Sequence, residues 1–184
     1  MVSLRSSLLA VLVVVALAIP ALSHSDDFAT DDDAPLFEFT ANVTAAKSVP
    51  PIKSNTTAFF AASVANGTVT WELEVLHVQN LTMAHIHLGN SVTNGPIIVG
   101  LLPLGEPVDA FDGSVPPMFK HPRTGLRLAF NGTFTADDFV GPFAGLEMDD
   151  LIYSFYTEEV YVNIHTVRYP AGAARGQVNA DPDV

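Results

Sequence analysis

Cysteine is absent from the 184 residues. No disulfide framework and no thiolate centre is therefore available, and the fold must hold by its core alone. Basic residues are scarce, with eight Lys and Arg against twenty Asp and Glu, for a formal charge of −12 at pH 7. Nucleic-acid backbones and anionic membrane surfaces need clustered cations, so neither is an expected partner. No Gly-Lys phosphate loop and no Gly-x-Ser-x-Gly nucleophile elbow occurs, and Ser91 and Ser114 fall in loops. Asp149-Asp150 and Glu158-Glu159 read as solvated acids, and no catalytic residue emerges.

Long apolar runs are missing too, except one. Leu8 to Ile19 follows Arg5, and Pro20 precedes Ala21-Leu22-Ser23, small residues three and one positions before a cut. Residues 1–23 thus read as a secretory signal peptide, because the run is short for a bilayer span of about 20 residues. Residues 24–35, with Asp26, Asp27, Asp31, Asp32 and Asp33, read as an acidic, disordered lead-in. They lack the glycine and spaced oxygen ligands of a calcium loop. Residues 36–181 remain for a single domain. Asn42, Asn55, Asn66, Asn80 and Asn131 each open an Asn-x-Thr glycosylation acceptor. Together these features predict a secreted, extracellular glycoprotein that is free of the membrane after signal cleavage. Its partner would be an extracellular protein or matrix component.

Within the domain the dominant rhythm is alternation. Phe37, Phe39, Ala41 and Val43 alternate with polar residues, which predicts a half-buried strand. Thr57 to Ala65 and Val69 to Val75 flank Asn66-Gly67, the dipeptide of a two-residue type I′ hairpin turn. Further strands are expected around His85, at Ile97 to Leu102, from Gly125 to Asn131, around His165 and around Arg175. Thr135 to Asp138 has the look of a helix start, and Met148, Leu151, Ile152 and Phe155 have the spacing of a short helix. Many short strands with few helices predict an all-β domain with minor helix, an antiparallel β-sandwich or Greek-key barrel. Pro103 to Thr124 has no periodicity and is expected to form a long loop that could cover a sheet face.

Parity along two strands brings histidines together. In extended chain alternate side chains share a face. His85 and His87 therefore oppose Ala84, Ile86 and Leu88, while Tyr161, Asn163 and His165 oppose Val160, Val162 and Ile164. If the aliphatic faces are core, three imidazoles project from the other side of the sheet. His77, in phase with the buried face of its strand, is expected at a strand end rather than at a site.

Seven motifs in order carry a family resemblance. They are Phe37-x-Phe39, Val49-Pro50-Pro51, Ala84-His85-Ile86-His87-x-Gly89, Asn94-Gly95-Pro96, Tyr161-Val162-Asn163-Ile164-His165-Thr166, Pro170-x-Gly172 and Arg175-Gly176-Gln177. The set closely resembles the CHRD domain, named after chordin, over roughly Leu36 to Ala180. Ser48 stands where the family usually has an acid, and Ala173 where Glu is common. The resemblance implies a β-rich extracellular module without a defined activity, hence a non-enzymatic binding or structural role. In chordin the domain accompanies cysteine-rich modules in an antagonist of bone morphogenetic proteins. None of those modules is present, so growth-factor binding is not carried over.

His-x-His on one strand with a distant His beside it is similar to the copper-site arrangement of Cu/Zn superoxide dismutases. That parallel extends the fold expectation to immunoglobulin-like or dismutase-like β-sandwiches. As an alternative function, a surface cluster of His85, His87 and His165 could bind copper or zinc and be redox-active, with His121 as a fourth ligand. Asn163 and Gln177 would then hydrogen-bond the rings and fix their tautomers, with Arg175 as a further neighbour, or else all three join the histidines in a structural polar network. The dismutase zinc loop, its disulfide and an evident guiding arginine are all missing.

Overall fold

A computed structural model describes residues 37–102 and 127–180. The signal and acidic segments and the whole Pro103–Thr124 loop, with His121, lie outside the described residues. The elements are β1 (Phe37–Thr44), β2 (Thr57–Ala65), β3 (Thr68–Leu76), β4 (Leu81–Leu88), β5 (Ile97–Leu102), β6 (Leu128–Thr135), α1 (Met148–Tyr156), β7 (Val160–Thr166), β8 (Ala174–Gln177) and β9 (Asn179–Ala180). The fold is all-β with one short helix, as the alternation predicts. β6 runs to Thr135, beyond the expected end at Asn131, where Gly132 lies under the indole of Trp71. His77 follows β3 at an exposed, left-handed position, φ 55°.

The strands form one antiparallel sheet in the order β5-β4-β7-β8-β1-β2-β3-β6, with β9 beside β1. The β2–β3 hairpin turns at Asn66-Gly67, both at positive φ, and its register is unbroken from Ala65↔Thr68 to Thr57↔Leu76. The sheet curls until its edges almost meet. The Val140 amide donates to the Ile98 carbonyl at 3.0 Å, linking the chain after β6 to β5. Rolling the sheet turns one face of every strand inward. Phe39, Phe60, Trp71 and Leu73 from one half meet Ile86, Leu101, Val162 and Ile164 from the other.

Helix α1 plugs this core. Met148, Leu151 and Phe155 point inward, and the Phe155 ring packs 4.7 Å from that of Phe39. Its start is a reciprocal cap: the Glu147 side chain accepts from the backbone of the third helical residue, and Asp150 accepts from the Glu147 amide at 3.0 Å. Thr135 and Asp138 cap a single 3-10 turn in the same way, so the expected helix start does not become an α-helix. Gly141-Pro142 follows at once, and Gly141 sits at φ 57°.

The joint between the two halves is narrow. β8 meets β1 through Thr44↔Arg175, and Gly176 lies so close to β1 that a Cβ there would fall 2.5 Å from the Asn42 carbonyl oxygen. Backbone cannot yield as a flexible side chain can. Gly176→Ala is therefore expected to destabilise the fold by about 2–3 kcal/mol, read as a lowered urea midpoint. Gly67→Ala, with nothing within 4 Å and only a left-handed φ to oppose it, should cost about 1 kcal/mol.

Candidate metal centre

The site is built by the register of four strands. β4 pairs with β7 so that Met83 faces His165, His85 faces Asn163 and His87 faces Tyr161. β8 continues the rows with Arg175 beside Asn163 and Gln177 beside Tyr161. β5 adds Gly100 beside His85 and Ile97 beside His87. Directly opposed residues share a face, so the outer face carries a small grid of polar side chains centred on His85 and Asn163. Ala84, Ile86, Val162 and Ile164 on the reverse face are core. Met83 and Tyr161 are buried but stand apart from that core, on the imidazole side.

The three imidazoles lie on the outer face of the sheet, yet not on the molecular surface. His85, His87 and His165 are only 5, 8 and 5% exposed. This corrects the expectation of a surface cluster. The chain around Gly95 and the turn at Pro170 fold against the rings and offer them carbonyl oxygens, so the cover includes short turns that carry no strand signal of their own.

One ligating atom from each ring lies within 4.8 Å of the other two. His85 Nδ1 and His165 Nε2 are 3.2 Å apart. His87 Nδ1 lies 2.9 Å from the Gly95 carbonyl oxygen, and His165 Nδ1 lies 2.8 Å from that of Pro170. A carbonyl can only accept, so both Nδ1 atoms carry hydrogen and both Nε2 atoms present lone pairs. His165 Nε2 must then accept from His85 Nδ1–H. His87 Nε2 is buried with no hydrogen-bond partner among the described residues. His87, fixed at Nδ1 by a carbonyl with Nε2 free, has the pattern of a metal-ligating histidine, and His165 is fixed at Nδ1 in the same way. Two nitrogens on one tetrahedral ion at 2.0–2.1 Å sit about 3.3 Å apart, so the His85–His165 pair has the separation an ion needs once the His85 proton moves from Nδ1 to Nε2.

The electrostatics favour neutral rings. Burial, reinforced by the neighbouring His165 and His87, lowers the His85 pKa to about 2. Burial lowers that of His87 to about 4, against the opposing bond to Gly95. Burial lowers His165 as well. Neutral imidazole is the form that ligates.

The surrounding polar residues serve the turns rather than the rings. Asn163 Nδ2 donates to the Ala171 carbonyl at 3.4 Å, and Gln177 Nε2 lies within 3.1 Å of the Gly89, Glu158 and Val160 carbonyls. Arg175 donates to the carbonyls of Asn90, Ser91 and Thr93. The expected role of Asn163 and Gln177 in fixing the tautomers falls instead to the main chain of Gly95 and Pro170. Tyr161 was not singled out by the sequence, although its parity places it here. Its ring stacks on His87 at 5.1 Å, lies 3.7 Å beneath the Arg175 guanidinium, and its hydroxyl accepts the Gly95 amide. Asn42, Asn55, Asn66, Asn80 and Asn131 are all exposed.

An antiparallel barrel with three buried, neutral histidines on the reverse of its core is the class that fold and site define. The family comparison is more specific: the CHRD domain model matches residues 39–178, and the chain belongs to the CHRD family. No curated protein and no solved structure matches it. No helix among the described residues is long and apolar enough to cross a membrane.

The neutral rings make stability depend on acid. In the unfolded chain each imidazole takes a proton near pH 6.5, whereas folded His87 and His85 resist protonation down to about 4 and about 2. Between those limits the unfolded state binds more protons, so stability rises with pH and falls on acidification. Each ring should remove about 2 kcal/mol between pH 6.5 and pH 5. Urea melts at the two pH values will show this, and His87→Gln should flatten the dependence by one ring's share.

Proposed function

We propose that the chain is an extracellular CHRD protein that holds one copper or zinc ion on His85, His87 and His165. The observation that carries this reading is the convergence of three buried imidazoles whose ligating atoms lie within 4.8 Å of one another, one of them the buried, partnerless Nε2 of His87. A hydrogen-bonded structural network gives no reason for that orphan. Zinc and copper both accept imidazole, and Met83, directly opposite His165 on the same face, is a soft donor that tips the preference toward copper. The chain's excess of acids helps to draw in a divalent cation. A bound copper would supply redox chemistry and a bound zinc Lewis acidity. The protein's contribution is to orient the rings through Gly95 and Pro170 and keep them neutral.

The competing reading is a non-enzymatic module that binds a protein or matrix partner. It is favoured by aromatic side chains left on the surface, Phe59, Tyr153 and Tyr156. Elemental analysis separates the two. Protein purified without chelator and dialysed against micromolar copper or zinc should retain about one ion per chain, lost in His85→Ala/His165→Ala. Saturation at a thousand times Kd should add about 4 kcal/mol of stability. Metal-free protein whose melting ignores both ion and chelator would leave the partner-binding module as the function.

Secretion and glycosylation form part of the same proposal, supported by the exposure of all five acceptor asparagines. Expressed in a eukaryotic secretory host, the chain should appear in the medium and lose mass on N-glycosidase treatment. Retention in the cell at an unmodified mass would count against it.

A further inference from the structure

A small opening lies beside the imidazole grid, at Asn163 and Arg175. A cavity of about 100 Å³ is bounded by Ser48 and Pro50 on one side and by Asn94, Asn163, Gly172 and Arg175 on the other. Three of these residues carry a buried polar atom with no hydrogen-bond partner: Ser48 Oγ, Asn163 Oδ1 and Arg175 Nε. Native interiors seldom leave such atoms unpaired, and three around one cavity call for an occupant.

Charge narrows its nature. Arg175 is 2% exposed. Its terminal nitrogens donate to three main-chain carbonyls, and the Tyr161 ring covers one face of the guanidinium. None of these groups carries a negative charge. Among the described residues the ion pair found is Arg127 with Glu74, which does not involve Arg175. A buried guanidinium without a counter-ion is costly, and an anion at Nε would offset that cost.

Hydrogen-bond polarity narrows it further. Arg175 Nε and Ser48 Oγ can donate. Asn163 Nδ2 is turned to the Ala171 carbonyl, which leaves Oδ1 as the free acceptor. Gly172 permits this placement, since a Cβ there would lie 2.5 Å from Oδ1. A halide or nitrate would face that oxygen with nothing to donate. An anion of four heavy atoms that carries one hydroxyl meets all three groups. We propose that this cavity binds bicarbonate, its oxygens accepting from Arg175 Nε–H and Ser48 Oγ–H and its hydroxyl donating to Asn163 Oδ1.

The site does not depend on the metal reading. Asn163 is the row neighbour of His85, but none of the three groups is hydrogen-bonded to an imidazole, and bicarbonate should bind chelator-treated protein. The Arg175 Nε–H resonance of 15N-labelled, metal-free protein at pH 8 provides a direct readout. It should shift saturably with sodium bicarbonate and stay put with equal sodium nitrate. Ser48→Ala, whose lost hydroxyl has no partner in the protein, should fold normally and bind about tenfold more weakly. Ser48→Asp, which places a carboxylate in the cavity beside the guanidinium, should abolish the shift. Equal shifts with both salts, no shift with either, or unchanged affinity in Ser48→Ala would overturn the proposal.

Discussion

The antiparallel register of β4 against β7 is the constraint on which the rest of the structure depends. It sets Ala84 and Ile86 against Ile164 and Val162 on the inside and, by the same stroke, His85 and His87 against Asn163 and Tyr161 on the outside. A strand's side chains have a period of two, so a slip by one residue would push imidazoles into the core and aliphatics out of it. The burial of the aliphatic face therefore holds the histidines in place. The site gains its precision from the core, without needing disulfides to secure it.

The neighbouring strand converts that precision into enclosure. Arg175 on β8 reaches past Tyr161 to the carbonyls of Asn90, Ser91 and Thr93, and Gln177 reaches the carbonyls of Gly89, Glu158 and Val160. These bonds tie down the turn after β4, which ends in Gly95, the residue whose carbonyl faces His87 Nδ1. Gly95 passes so near the Leu88 carbonyl oxygen that a Cβ would lie 1.8 Å from it. Any other residue would lift the turn and its carbonyl away from the ring. Arg175-Gly176-Gln177 is thus one device: two side chains that hold a turn, and a glycine between them that lets β8 lie close against β1.

The fold was largely legible because its strands obey a simple alternation and its turns carry strong local chemistry. Phe37 to Val43, the Asn66-Gly67 hairpin and the outward parity of His85, His87 and His165 follow from period and turn type alone. Burial of the site was not legible, because it arises from Gly95 and Pro170, residues whose role is played by main-chain oxygens. No side-chain pattern announces a carbonyl that will meet an imidazole from another part of the chain. Tyr161 escaped for a related reason. A tyrosine in a strand is ordinary, and only the pairing with His87 and Gln177 shows it wedged between a ring and a guanidinium. The expected helix start at Thr135 shortened to one turn because Gly141-Pro142 lies too near for a helix to propagate.

The outer face costs more than an ordinary sheet surface would. Three imidazoles are held neutral by burial, one of them with an unpaired nitrogen, and a guanidinium is buried with an unpaired Nε one row-neighbour beyond Asn163. The inner face alone is sufficient to specify the barrel, since its aliphatic and aromatic residues form one continuous cluster. His87, His165 and Arg175 offset part of that cost by satisfying the carbonyls of Gly95, Pro170, Asn90, Ser91 and Thr93, but nothing in those bonds calls for the free Nε2 of His87 or the free Nε of Arg175. Where packing is locally consistent everywhere except on one grid of residues, the exception marks the part of the surface shaped by what it binds. The two kinds of orphan also differ in sign. The free lone pair on His87 seeks a cation, whereas the free N–H of Arg175 seeks an anion. The Tyr161 ring stands between them, stacked on His87 and lying under the Arg175 guanidinium, so the proposed cation and anion would lie on opposite sides of one aromatic ring.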